Sequence, residues 1–389
     1  MNRRQLSLAL IFAPALFAYA CSSSSDDKPP TDPDAGGNAE TSSGGDTSTN
    51  DDGPSTDGAK KDNFVPPTGN PLEGLMTPAA IAALAGVYCE GPQWFGDSIY
   101  FSDTVQNVIK YNPGMPIVAT GGQGDNPIVH HIAGAIPLGN TVDDSVKSPT
   151  PTLLTLEVTN GAPGFTMVRT PFTGTFPRAG FGVDIAAPDA SGGNFDSPND
   201  LVVRKSDGTI YMTDPSYQAG PTVTTNHIWR LKPQAAPSVT YDAFEIQLAG
   251  QPNGIALSPD SKTLYVSLTG PAGGPPPPAP RIEKYTVNTD GSLGLAQKFA
   301  DVPPAAAAGM PTTGSLADGI AVDSAGNVYV AVKNGVDVFK PDGLSKWGKI
   351  TTTAVINGIA FGGADKKTLF MSSQSGMYTV TVKVAGQVQ

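Results

Sequence analysis

Four polar residues recur at the opening of similar hydrophobic units in this chain of 389 residues. Glu90 opens Glu90-Gly91-Pro92, Asn199 lies in Pro198-Asn199-Asp200, Asn253 in Pro252-Asn253-Gly254, and Asp318 in Ala317-Asp318-Gly319. Two carboxylates and two amides carry a combined charge of −2, which balances one divalent ion, and they offer hard oxygen donors. A wide site assembled from separate segments suits calcium, whereas magnesium demands tighter octahedral geometry and keeps more water. Another divalent cation is the alternative. Zinc is disfavoured, because the three histidines and Cys89 show no ligand spacing. Each motif alone also reads as a turn dipeptide, but four in one phase of a repeat favour a shared site. Asn357, in Ile356-Asn357-Gly358, occupies the same phase and reads equally well as a turn. An aspartate that holds a cation and also faces a water can act as general base, with the cation keeping it ionised. Asp318 is that residue.

The elements that must carry these groups follow from the repeat. Each lead residue is followed by a short apolar stretch, a turn such as Ser-Asp-Gly or Ser-Pro-Asp-Ser-Lys, a β-branched and aromatic stretch, and a third alternating stretch. A weaker fourth follows, as in Ala243 to Leu248. Four antiparallel strands per unit form the blade of a propeller, and ring closure removes exposed sheet edges. The innermost strand of each blade starts beside the channel, so the lead residues converge on one axial spot. The 109 residues from Glu90 to Asn199 leave room for two units. The missing lead is expected near residues 125–135, with its second strand at Leu153 to Val158. The expected architecture is therefore all-β: six four-stranded antiparallel blades around a central metal-binding channel. Thr77-Pro78 ahead of an alanine-rich stretch reads as a helical turn or two before the first blade.

The ends and the composition set other expectations. Residues 1–20 read as a secretion signal, with Arg3 and Arg4 ahead of an apolar core from Leu6 to Leu16. That core is too short to span a bilayer. Ala18-Tyr19-Ala20-Cys21 is similar to the lipobox of bacterial lipoproteins, which implies lipidation at Cys21; an ordinary signal cut is the alternative. Residues 21–66 read as a tether rich in Ser, Asp, Gly, Thr and Pro, too poor in apolar residues to fold. From Ser22 to Pro66 it carries a net −7, leaving about −6 of the total −11 for the propeller expected over 67–389. No basic stripe offers itself to nucleic acid. The expected location is the cell envelope, with Ser22 after the lipid cysteine favouring the outer membrane. Cys89 sits in an apolar-aromatic stretch and reads as a buried, inert thiol. Nothing in the chain indicates an oligomeric state.

The segments EGPQW, SPNDLVVRKSDGTIYMTDP, QPNGIALSPDSKTLYVS and ADGIAVDSAGNVYVA resemble the gluconolactonase, regucalcin and luciferin-regenerating-enzyme family of six-bladed propellers, over roughly residues 86–385. The resemblance implies a calcium ion on Glu90, Asn199, Asn253 and Asp318, with Asp318 as base or nucleophile. It implies hydrolysis of a small lactone whose carbonyl the cation polarises. The chain departs from the family in its second blade, where Leu156-Glu157-Val158-Thr159 keeps the acid but not the basic partner. Arg169 is a candidate replacement, with a solvent-facing arginine as the alternative. Glu157, Arg169 and Asp214, with Thr213 beside it, are the candidate substrate contacts, although an aspartate before proline also suits a turn. His130 and His131 cannot act as a dyad, since neighbours in a strand face opposite ways; either could approach the channel as the second blade's lead. The proline-rich segments 271–280 and 303–315 are expected to narrow the channel mouth. Two other readings share this architecture: a calcium-stabilised propeller that binds a sugar or protein without catalysis, and a phosphotriesterase.

Overall fold

Short runs of β-branched and aromatic residues decide the local structure. Val328–Val332 (VYVAV) and Thr209–Asp214 (TIYMTD) are buried along their whole length, as strands covered on both faces must be. The computed structural model describes residues 68–103, 107–113, 135–148, 150–159, 165–172, 195, 197–216, 226–233, 241–248, 250–269, 279–302 and 317–387. All of them lie in one unit, Asn63–Gln389. They form an all-β propeller.

The first sheet comprises Cys89–Phe95, Ser98–Asp103 and Asn107–Tyr111, and the second Ala135–Asp143, Thr152–Thr159 and Phe165–Pro171. The third comprises Leu201–Arg204, Thr209–Asp214, Asn226–Pro233 and Tyr241–Leu248. The fourth runs through Pro252–Leu257, Thr263–Leu268, Arg281–Thr286 and Gln297–Asp301, and the fifth through Ile320–Val322, Val328–Val332, Gly335–Phe339 and Lys346–Thr351. The sixth contains Ile356–Gly362, Thr368–Ser373 and Gly376–Thr381, and its outermost strand is Ala79–Ala80, supplied from ahead of the first sheet. Strands pair antiparallel, in sequence order in the first five sheets and, apart from Ala79–Ala80, in the sixth.

Every pair of neighbouring sheets buries its own apolar wedge. Leu154, Leu156, Met167, Leu201, Met212 and Trp229 fill the space between the second and third sheets. Between the sixth and first, Leu84, Cys89, Phe101, Phe370 and Met377 do the same. The core is thus a ring of interfaces around a channel, rather than one central cluster.

Several sequence expectations need correction. Four strands appear in four of the sheets, but the first two show three among the described residues. The stretches that would follow their third strands, 114–134 and 173–194, lie largely or wholly outside those residues. The alanine-rich segment after Thr77-Pro78 forms the strand Ala79–Ala80 and a single 3-10 turn, Ala82–Leu84, because pairing with Tyr378 and Thr379 claims its first residues. The second sheet starts at Ala135, so its inner lead is Leu138 rather than a residue in 125–135. Cys21, the signal and tether stretches, His130, His131, most of 271–280 and all of 303–315 lie outside the described residues.

The chain's last described residues cross the end of the channel away from the lead residues. Ser324 N donates to Ala385 O at 2.9 Å, Gly386 N to Lys366 O at 2.8 Å, and Gln387 Nε2 to Leu257 O at 3.1 Å. The segment thereby latches the fourth, fifth and sixth sheets together. A β-carbon at Gly386 would lie 2.2 Å from Phe361 Cβ, so Gly386→Val forces the latch off its seat. We expect a loss of about 1–3 kcal/mol in denaturant unfolding; an unchanged midpoint would show that the latch adds nothing to the ring.

Candidate metal centre

The lead side chains face the channel because the backbone turns them there. In the first, second, fourth and sixth sheets the inner strand slips register at the lead motif, between Glu90 and Gln93, Pro137 and Asn140, Pro252 and Ile255, and Ile356 and Gly358. Such bulges re-aim side chains at a sheet edge. Asn199 and Asp318 sit just ahead of their strands. The residue after each lead is glycine except Asp200, and the spacing explains why. A β-carbon on Gly254 would lie 2.5 Å from Asp318 O in the neighbouring sheet.

The channel holds a cavity of about 380 Å³. Glu90, Asn199, Asp200, Asn253, Asp318 and Asn357 line one end, and Asp144, Lys366 and Gln387 line the other. Glu90, Asn199, Asn253 and Asp318 thus border one cavity, in the phase their motifs share. The second sheet contributes Leu138 at the matching place, an apolar side chain with nothing to offer a cation.

The electrostatics of this end are unusual. Burial, then the charge of Asp200, raises the Glu90 carboxyl well above the ordinary glutamate range. Burial, then Glu90 and Asp200, does the same to Asp318, and burial raises Asp200 to about 7. Burial leads for all three, neighbouring carboxylates come next for Glu90 and Asp318, and no basic side chain is among the leading influences on any of them. Two acids raised by burial at one end of a cavity, with no basic group among their leading influences, are what a bound cation compensates. Among the described residues no three His, Cys, Asp or Glu side chains cluster closely enough to hold an ion by themselves. A cation here would therefore rest on the mixed set of Glu90 and Asp318 carboxylates with Asn199 and Asn253 amides. That donor set fits a hard divalent ion.

Neighbours hold these acids in place. Asn357 Nδ2 donates to Glu90 Oε1 at 2.8 Å, and Ser372 Oγ donates to Asn357 Oδ1 at 2.9 Å. With both ends of its amide engaged, Asn357 orients Glu90. The Tyr88 hydroxyl also donates to Glu90 Oε1, at 3.4 Å, and the Asn253 side chain hydrogen-bonds Asp318. Asp200 escaped the sequence reading. Its signal was its presence where every other described blade motif has glycine, which marks a side chain with somewhere to go.

The candidate substrate residues sit outside the cavity lining. Glu157 is buried in the middle strand of the second sheet, opposite Pro137 and Thr166. Arg169 donates to Asp143 Oδ2 at 2.5 Å and Thr152 Oγ1 at 2.9 Å, at the far end of the same sheet. Asp214 is fully buried and accepts from Ser197 N at 2.5 Å and Trp229 Nε1 at 2.8 Å. It anchors the segment that delivers Asn199. Cys89 is buried, and burial raises its thiol pKa.

With this geometry in view, the likeness to known proteins is specific. Residues 184–375 match the family described as SMP-30/Gluconolactonase/LRE-like region. A gluconolactonase of Zymomonas mobilis is 34% identical over 165 residues, which cover 39% of this chain and 41% of that protein. The match thus spans less than half of the relative's length. A solved gluconolactonase of Xanthomonas campestris superposes with TM-score 0.55 at 25% identity, over 79% of this chain and 95% of that one. A calcium-binding regucalcin of Agrobacterium tumefaciens superposes with TM-score 0.52 at 15% identity, over 81% of this chain and 96% of that one, and so shares the fold. The likeness to the SMP-30/Gluconolactonase/LRE-like region thus covers residues 184–375, just under half of the chain.

Proposed function

We propose that this protein is a calcium-dependent hydrolase of the gluconolactonase type, which opens a sugar lactone or another small lactone at the acidic end of its channel. One observation carries the reading: Glu90, Asn199, Asn253 and Asp318, from four different sheets, line the same cavity, and burial there raises both carboxyls. The gluconolactonase names of two similar proteins support the substrate class. The reading includes a closed ring of six blades, supported by Asn357 of the sixth sheet reaching Glu90 of the first.

When bound, the cation would supply Lewis-acid polarisation of the lactone carbonyl. The protein's own groups do the rest. Asp318 takes a proton from the attacking water, with the Asn253 side chain fixing its carboxyl. Water adds to the carbonyl carbon and the ring C–O bond breaks. The leaving alkoxide takes the proton, giving an open-chain hydroxy acid. Asn357 orients Glu90, whose carboxyl the cation would keep ionised.

The proposal extends to the N-terminal region: residues 1–20 export the chain, Cys21 carries lipid, and the tether to residue 66 holds the propeller at the cell envelope, in the outer membrane.

The test is hydrolysis of glucono-δ-lactone and a panel of small lactones by the full chain, with calcium and with chelator. Calcium-dependent turnover is the expected result. A protein that binds calcium yet leaves every lactone intact would move the reading to a phosphotriesterase or a non-catalytic binding propeller.

A further inference from the structure

The lead residues of neighbouring blades are joined by hydrogen bonds of two kinds. At two joints the backbone makes the link directly: Gly139 N donates to Asn199 O at 3.0 Å, and Gly319 N to Asn357 O at 2.9 Å. At three others a side-chain hydroxyl stands between. Ser102 Oγ donates to Leu138 O at 2.6 Å, Thr213 Oγ1 to Asn253 O at 2.6 Å, and Ser267 Oγ to Asp318 O at 2.7 Å. These hydroxyls hold the same place in their sheets, opposite the lead motif on the second strand. Where the link is direct, that place is taken by Leu156 or Ala331, which have no hydroxyl.

The third and fourth sheets use one relay. Asp200 N donates to Thr213 Oγ1 at 3.0 Å, and that hydroxyl passes its own hydrogen to the carbonyl of Asn253. Gly254 N donates to Ser267 Oγ at 2.8 Å, and that hydroxyl passes its hydrogen to the carbonyl of Asp318. Thr213 and Ser267 are both fully buried. The peptides that carry Asn199, Asn253 and Asp318 are therefore spaced by two hydroxyl groups, each of which satisfies a donor on one side and an acceptor on the other.

We infer that Thr213 and Ser267 are positioning residues: their hydroxyls set the distance between successive oxygen donors of the channel and so tune its affinity for a divalent cation. The inference rests on the cation reading above. At these two joints the hydroxyl, rather than a direct backbone bond, ties the amide of one lead motif to the carbonyl of the next, so it fixes how the peptides carrying Asn199, Asn253 and Asp318 are placed against each other. Partners one step behind a metal ligand commonly change affinity by about 10–100-fold when removed.

Calcium titration of the full chain by calorimetry tests this, with melting temperature read in calcium and in chelator. Thr213→Val keeps the shape and deletes the relay, and Ser267→Ala does so one blade later. Each is expected to weaken calcium binding by about tenfold or more, while Thr213→Ser, which keeps the hydroxyl, restores affinity to within about twofold. Ile210→Val, a core change in the same sheet, should lower the melting temperature and leave calcium affinity alone. Thr213→Val or Ser267→Ala binding calcium as tightly as the wild type, whatever its stability, would overturn the inference. Should Thr213→Val not fold, Ser267→Ala decides alone. A wild-type chain that binds no calcium would remove the cation reading and this inference with it, an outcome distinct from variants that match a calcium-binding wild type.

Discussion

Asp318→Asn is expected to reduce lactone turnover by about 10²–10⁴-fold at saturating calcium, the range of a lost general base. The substitution keeps the shape of the side chain and an oxygen to accept from Asn253 and Gly319, both of which hydrogen-bond Asp318. It removes a half-buried carboxyl whose ionisation burial, Glu90 and Asp200 oppose. The metal-free protein should therefore melt no lower than the wild type, because the amide avoids the cost of an uncompensated buried carboxylate. Calcium should bind more weakly, since one of only two charged donors in the proposed set is gone. Rate against calcium concentration separates the two effects: a loss that high calcium rescues is a loss of binding, and one that persists is a loss of the base. A fully active variant would remove Asp318 from the chemistry.

Removal of the cation should be felt throughout the propeller. Chelation is expected to abolish turnover and lower the melting temperature by roughly 5–10 °C relative to calcium at a hundredfold excess over its dissociation constant, which corresponds to about 2.7 kcal/mol of linkage. The origin of the effect is local, but its reach is not. Glu90 belongs to the first sheet and Asp318 leads into the fifth, so one ion on both would tie together sheets that the sixth separates. Without it, burial raises both carboxyls and the nearby Asp200 acid raises them further. Differential scanning calorimetry in calcium and in chelator measures the shift. Identical melting in both would mean that the acidic end of the channel binds no calcium.

Much of this arrangement was legible in the chain itself. The repeat of lead motif, apolar strand, turn and β-branched strand is local information, because alternation and turn residues act over a few positions. It identified an all-β propeller and placed Glu90, Asn199, Asn253 and Asp318 in one phase, and the structure lines one cavity with those residues. The second strand of the second blade, Thr152–Thr159, was foreseen, but the blade's lead was misplaced because it is Leu138-Gly139, which lacks the polar residue that made the others visible. Ala79–Ala80 read as helix because alanine favours helix in isolation, whereas its partner strand is some three hundred residues away. Pairing over that distance leaves no local trace.

Roles within the channel were decided by tertiary structure alone. Asn357 matches the other leads in sequence, yet its amide is committed to Glu90 and Ser372. Asp214 resembled a pocket residue and instead anchors Ser197 and Trp229, and Arg169 is paired with Asp143 away from the cavity. Thr213 and Ser267 are ordinary strand residues until the next blade presents a carbonyl to their hydroxyls. The amino-acid sequence determined the elements and the phase of the oxygen donors, because both follow from short-range periodicity. Which polar group bonds which, and which acids share one buried space, depended on contacts between blades that only ring closure brings within reach.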